Sequence, residues 1–190
     1  MENEWIQASA VEPLTGDEEL AGTNATVRDF WAFAMGDLRT NNVRGYLAEF
    51  LVAKAVGATG RRVEWDAFDV LTPAGVRVEV KSAGYLQVWD QAKPSTIAFS
   101  GLMAKTWSPR EGYAQTKTFN ADVYVFALQT AREHDAYDPL DVSQWRFYVV
   151  PRRALEACGY ASLGLRTVET LAGGAVSYAD LGVAIDAASA

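Results

Sequence analysis

Cysteine and histidine are almost missing from this chain: Cys158 and His134 are the single examples in 190 residues. One thiol excludes a disulfide framework and a cysteine-rich zinc site, and makes the reducing cytoplasm the expected compartment. One imidazole excludes serine–histidine–aspartate or cysteine–histidine catalysis unless His134 itself serves. Its setting, REHDAYD, is that of a solvated loop histidine. Long apolar runs are missing too. None approaches the ~18 residues that cross a bilayer, so no membrane partner is expected. The acidic start MENEW lacks the pattern of a signal peptide. Positive charge is scarce, with 17 Lys and Arg against 24 Asp and Glu and a net charge of −7. A generic nucleic-acid binder is usually basic. A polyanion would have to be held here by a local field.

What is present is enough for one sizeable core: 49% of residues are hydrophobic and 12% aromatic. One domain is expected at residues 26–190, preceded by an arm at residues 1–25. The arm holds six acidic residues, no Lys or Arg and few large apolar ones, the composition of a poorly ordered tail or a lightly docked cover. Residues 81–120 reverse the balance, with Lys81, Lys93, Lys105, Arg110 and Lys117 against Asp90 and Glu111.

From Thr26 the pattern turns helical. Val27, Phe30, Trp31, Ala34 and Leu38 recur at helical spacing, and Thr26 with Asp29 makes a capping pair. Asn42 can cap a second helix over residues 43–56 that ends near Gly57. Its expected buried stripe is Tyr46, Leu47, Phe50 and Leu51. Glu49 is odd there. Its neighbours three and four positions away are Gly45, Tyr46, Val52 and Ala53, so no basic partner offers an intrahelical ion pair. Such an acid is either solvated at a helix edge or aimed at something outside the helix. Further on, residues 96–99 suggest a short strand and residues 121–128, ADVYVFAL, a buried central one. Residues 145–150 make another strand, and Pro151 starts a short helix. A last helix follows Ser177, with Asp180 completing a cap and Tyr178, Leu181 and Ile185 facing inward. The class is α/β, a mixed β-sheet flanked by helices.

Residues 63–82, VEWDAFDVLTPAGVRVEVKS, are the most informative stretch. Thr72-Pro73-Ala74-Gly75 has Pro where a type I turn wants φ near −65° and Gly where a left-handed residue follows. The resulting hairpin pairs Thr72 with Val76, so Asp69 falls opposite Glu79 and Ala67 opposite Lys81. Phe68, Val70, Val78 and Val80 then fall on the other, core-facing side. Two adjacent carboxylates repel unless a cation lies between them, and oxygen-only ligands suit a hard ion such as Mg²⁺. Glu79 and Lys81 alternate on one face, with the carbonyl of Val80 between them as a further ligand. A metal that polarises a phosphate, with a lysine that orients or deprotonates water, is minimum equipment for phosphodiester hydrolysis. The plain alternative is a set of solvated strand charges on an interaction protein.

The wider constellation, Glu49 in GYLAEF, Asp69 in FDV, and Glu79 and Lys81 in VEVKS, resembles the PD-(D/E)xK nuclease superfamily over roughly residues 42–128. That group includes many restriction endonucleases, Holliday junction resolvases and repair nucleases. The resemblance implies a restriction endonuclease-like sheet and a nuclease, with DNA as the expected substrate. It implies Mg²⁺ or Mn²⁺ held by Asp69, Glu79 and the Val80 carbonyl, with Glu49 contributing through water or a second ion. Glu49, Asp69, Glu79 and Lys81 are then the catalytic set. Phe68 stands where the family's name has a proline, and Asp66 competes with Asp69 for the metal.

After Lys81, basic residues Lys93, Lys105, Arg110 and Lys117 interleave with Tyr85, Trp89, Trp107 and Tyr113. Basic groups neutralise phosphates and aromatic faces stack on bases, although such aromatics also serve as core anchors under a long loop. Gln87 and Gln91 flank Trp89, where the resemblance implies polar groups that position DNA or water. The expected nucleic-acid contacts are therefore Gln87, Gln91, Lys93, Lys105, Trp107, Arg110 and Lys117. A homodimer is compatible with cutting both strands. The alternative reading is a catalytically inactive nucleic-acid-binding or assembly module on the same fold.

Overall fold

The structure, a computed structural model, describes residues 6, 9, 11–62 and 67–190. The chain divides into two compact units, Met1–Gly36 and Asp37–Ala190. In the first, helix α1 (Val27–Met35) starts at the expected cap: the Thr26 side chain accepts from the Asp29 amide, and Asp29 accepts from the Thr26 amide. Leu38, expected on this helix, lies beyond its end at Met35.

The second unit begins with α2 (Asn41–Ala55), which starts earlier than predicted, with Thr40 and not Asn42 at its N-cap. Then follow β1 (Val70–Leu71), β2 (Arg77–Gly84), β3 (Ala98–Ser100), the short pair β4 (Trp107–Ser108) and β5 (Gly112–Tyr113), and β6 (Val123–Gln129). The chain ends with β7 (Trp145–Pro151), α3 (Arg152–Cys158), β8 (Ser162–Gly164), α4 (Leu165–Ala172) and α5 (Leu181–Ser189). The main sheet has the order β1-β2-β6-β7. β2 and β6 run parallel, and the other neighbours are antiparallel. It is a mixed sheet flanked by helices.

Both faces of this sheet are covered. On one, Val78, Val80, Val123 and Val125 pack with Ala48, Leu51 and Val52 of α2 and with Leu181 and Ile185 of α5. On the other, Tyr124, Phe126, Leu128 and Tyr148 pack with Phe99, Leu102, Phe119, Leu155 and Val168. β6 is buried at all seven positions, as a central strand with helices on either side must be. Arg77 at the start of β2 donates from Nε to Asp122 at 3.0 Å, fixing the two parallel strands end to end.

α2 departs from its predicted stripe. Val43, Arg44, Ala48, Leu51 and Val52 are buried, whereas Tyr46 is 37% and Phe50 54% exposed. The reason is tertiary: α2 packs Ala48, Leu51 and Val52 against Val78 and Val80 of the sheet and turns two aromatics outward. Among the described residues no carboxylate pairs with the buried Arg44. It donates to the carbonyls of Arg39 and Leu86, each at 3.3 Å, and to Asn41 Oδ1 at 2.6 Å. These bonds tie the start of α2 to the end of β2.

Candidate active site

The turn folds as its chemistry requires. The Gly75 amide donates to the Thr72 carbonyl at 2.9 Å, Gly75 has φ +84°, and the Thr72 amide donates to the Val76 carbonyl at 2.9 Å. The register follows, with Val70 opposite Val78 and Leu71 opposite Arg77. The ladder then stops. Residues 67–69 bend away, so Asp69 and Ala67 are not the ladder partners of Glu79 and Lys81. The Asp69 amide donates to the Val78 carbonyl at 3.0 Å, and its Oδ2 accepts from the Val80 amide at 2.7 Å. The bend also breaks the alternation of side chains. Phe68, expected on the same side as Val70, Val78 and Val80, packs instead against the core on the opposite face.

Asp69 thus replaces a missing strand with its own side chain. In extended backbone a residue's N–H and C=O point to the same side, so the carbonyl of Val80 also faces this edge. Glu79 and Lys81 project from the face shared with Tyr124 and Phe126, their register partners in β6, and form an ion pair with each other. Glu49 approaches from α2, on the opposite side of the sheet. Glu49 and Glu79 therefore flank Asp69 from opposite faces of the sheet, each feeling its charge.

Burial raises the pKa of Glu49, Asp69 and Glu79 alike. The Asp69 charge pushes Glu49 and Glu79 further up, and the Lys81 charge pulls all three down. Desolvation wins in each case. A second cation also reaches the set: Arg62 Nε donates to Glu49 Oε2 at 2.6 Å, and its guanidinium lies 4.5 Å from the Tyr46 ring centroid. Burial works against the Arg62 charge, yet the Glu49 bond holds its pKa above the ordinary value. Glu49, without a partner on its own helix, is indeed aimed outside it, and a partner is Arg62. Sequence reasoning missed this residue. Its only signal was the basic pair Arg61-Arg62 after Gly60.

The donors at the edge are all oxygen: the carboxylates of Asp69 and Glu79 and the Val80 carbonyl. Among the described residues no three Asp, Glu, His or Cys side chains gather into a ready metal cluster. Two carboxylates and a carbonyl fit a hard ion only if water completes the shell. Asp66 lies outside the described residues.

The residues after Lys81 behave differently. Gln87 and Gln91 are spent on their own loop: Gln91 Oε1 accepts from the Gln87 amide at 2.7 Å, and both side-chain amides donate to Ser95 Oγ. Lys93 is exposed on the same loop. Lys105, Trp107, Arg110 and Lys117 stand exposed on the β4–β5 arm, whose base is closed by reciprocal bonds between Ala104 and Thr118 at 3.1 and 3.0 Å. Trp107 pairs across the arm with Tyr113. The arm returns to the sheet through Phe119, which packs edge-on against Tyr124, the residue beside Glu79. No described helix is long and apolar enough to cross a membrane.

Compared with curated proteins, the chain has no match. A family comparison does find one: residues 33–154 match the family of bacteriophage T4 endonuclease IV. The matched stretch runs from the end of α1 into α3 and contains Glu49, Arg62, Asp69, Glu79 and Lys81 together with the β4–β5 arm. It covers more than half of the chain, which therefore belongs to the bacteriophage T4 endonuclease IV family, a family of nucleases.

Proposed function

We propose that this nuclease is a Mg²⁺- or Mn²⁺-dependent enzyme of the PD-(D/E)xK type that hydrolyses phosphodiester bonds in DNA. The observation that carries the reading is the open β1–β2 edge. There Asp69 clasps the Val80 amide, and Glu79 and Lys81 follow on the same strand. Asp69, Glu79 and the Val80 carbonyl would hold the ion, which when bound supplies charge to polarise a phosphate oxygen and acidify water. Lys81, ion-paired with Glu79, would orient the attacking water as a hydrogen-bond donor and offset charge that develops on the phosphate, the water's proton passing to solvent. Glu49 acts from the far side, through water. The Lys105, Trp107, Arg110 and Lys117 arm offers charge and an aromatic face to the polyanion, whereas Gln87 and Gln91 serve by shaping the loop.

Incubating the full chain with plasmid DNA and Mg²⁺ or Mn²⁺ tests this. Metal-dependent nicking is expected, and Lys81→Ala should abolish most of it. Absence of metal-dependent cleavage on duplex, branched and single-stranded DNA alike would sink the proposal. One observation favours a second reading, a binding module without turnover: Glu79 and Glu49 are already occupied by Lys81 and Arg62. Calorimetry separates the two, because Mn²⁺ binding that disappears in Asp69→Ala belongs to the enzyme.

A further inference from the structure

We propose that Arg62 is a substrate-phosphate ligand, parked on Glu49 in the free protein and transferred to a phosphate oxygen when DNA enters. The assignment rests on the nuclease reading above for its chemistry, but it stands on separate geometry. A cavity of about 190 Å³ opens beside the β1–β2 edge, with Tyr46, Glu49, Phe50, Arg62, Phe68 and Asp69 in its walls. That volume admits a phosphate with part of its sugar. Asp69, the residue that clasps β2, forms one side of this cavity, and Arg62 forms another.

Charge explains why such a ligand is needed. A phosphate approaching this edge meets Glu49, Asp69 and Glu79 in a protein of net charge −7. Lys81 and Arg62 both act on these acids, and Lys81 is engaged with Glu79. Arg62 acts on both Glu49 and Asp69. A guanidinium grips two phosphate oxygens with a rigid planar fork of donors, which an ammonium lacks.

Tyr46 explains how it is kept ready. The ring beneath the Arg62 guanidinium, 4.5 Å away, holds the plane at the cavity wall independently of Glu49. The exposure of Tyr46 on α2, unexpected for a core residue, gains a purpose here. Glu49 is the more buried partner, with 14% of its side chain exposed against 38% for Arg62. The arginine, not the acid, is therefore placed to exchange partners.

The experiment uses the full chain in a Lys81→Ala background with chelator, so that DNA is bound and not cut. Affinity for a labelled duplex oligonucleotide is measured across a range of salt. Adding Arg62→Gln should weaken binding about tenfold and reduce the slope of log K against log salt by about 0.9, the value of one lost phosphate contact. Adding Arg62→Lys should keep the slope and still weaken binding. If both variants, folded by circular dichroism, bind as the parent does, the assignment is overturned. Should Arg62→Gln fail to fold, Arg62→Lys decides alone, since parental affinity there rules out the two-oxygen grip. The two proposals fail separately. A wild-type chain without metal-dependent cleavage ends the enzyme mechanism but leaves the slope change standing. A cleaving wild type with an unchanged slope ends only the role of Arg62.

Discussion

β6 lies in the middle of the sheet with all seven residues buried, whereas β1 at the edge has two residues and gives way to a bend. The central strand has neighbours on both sides, so its backbone groups are consumed by the ladders and its side chains by two cores. The edge leaves part of β2 without a strand beside it. One of those exposed backbone groups, the Val80 amide, is taken by the Asp69 carboxylate. An unfinished edge thus becomes a place where a carboxylate, a carbonyl and a lysine meet at the surface. The centre supplies stability and the edge carries the proposed chemistry: a longer β1 would protect the edge and cover the candidate site.

Substitutions can break this contrast. The largest effects are expected from a matched pair. Lys81→Ala should lower metal-dependent nicking by about 10²–10⁴-fold while costing less stability than the loss of a core ring. Phe126→Ala, on the neighbouring strand, should do the opposite. It removes a fully buried ring and should cost about 3–5 kcal/mol in denaturant unfolding, with activity per folded molecule retained. A lysine variant that unfolds, or a phenylalanine variant of normal stability, would erase the distinction between edge and centre.

A smaller effect, with a sign set by pH, is expected from Asp69→Asn. Burial raises the Asp69 pKa above that of the unfolded chain, so the native state keeps its proton to higher pH than the unfolded state does. The stability associated with that group is full below the ordinary carboxylate range and is lost as pH rises through the raised value. Asparagine carries no charge to desolvate and can still accept from the Val80 amide. The variant should therefore be more stable than the parent at pH 7.5, and the difference should close towards acid. Added Mg²⁺ should raise the parent's melting temperature and not the variant's. A variant less stable than the parent at pH 7.5 would mean that the Asp69 charge is a net support of the edge.

The smallest effect concerns the turn. Gly75 has φ +84°, and a Cβ there would meet no atom of the described residues within 4 Å. Gly75→Ala should therefore cost only the left-handed backbone penalty, about 1 kcal/mol, measured by chemical denaturation. A loss of several kcal/mol would show that the turn holds more of the edge than its own conformation.

Much of this was legible in the sequence because it is local. The TPAG turn determines its own hydrogen bonds and thus the register of Val70 and Val78. The Thr26–Asp29 cap closes within one helical turn, and the apolar run of β6 announces a strand covered on both sides. The outward turn of Tyr46 and Phe50 was not legible, because helical spacing defines a stripe without saying which stripe meets the sheet. The packing of Ala48, Leu51 and Val52 against the sheet valines decided that. Nor was the engagement of Gln87 and Gln91 with Ser95 legible, since a polar side chain in a loop can serve its own backbone or a ligand with equal chemistry.

By itself, then, the sequence determined the turn, the register next to it, the buried central strand and the choice of Glu49, Asp69, Glu79 and Lys81 as the residues to watch. These follow from backbone preference and side-chain alternation, which act over a few residues. Only the tertiary structure decided that the chain bends at residues 67–69, that Asp69 takes the place of a ladder partner, and that the acids approach one edge from different sides. It alone brought Arg62 to Glu49 across 13 positions of chain. Contacts of that kind arise when two covered faces and an open edge compete for the same segments, and no local preference records the outcome.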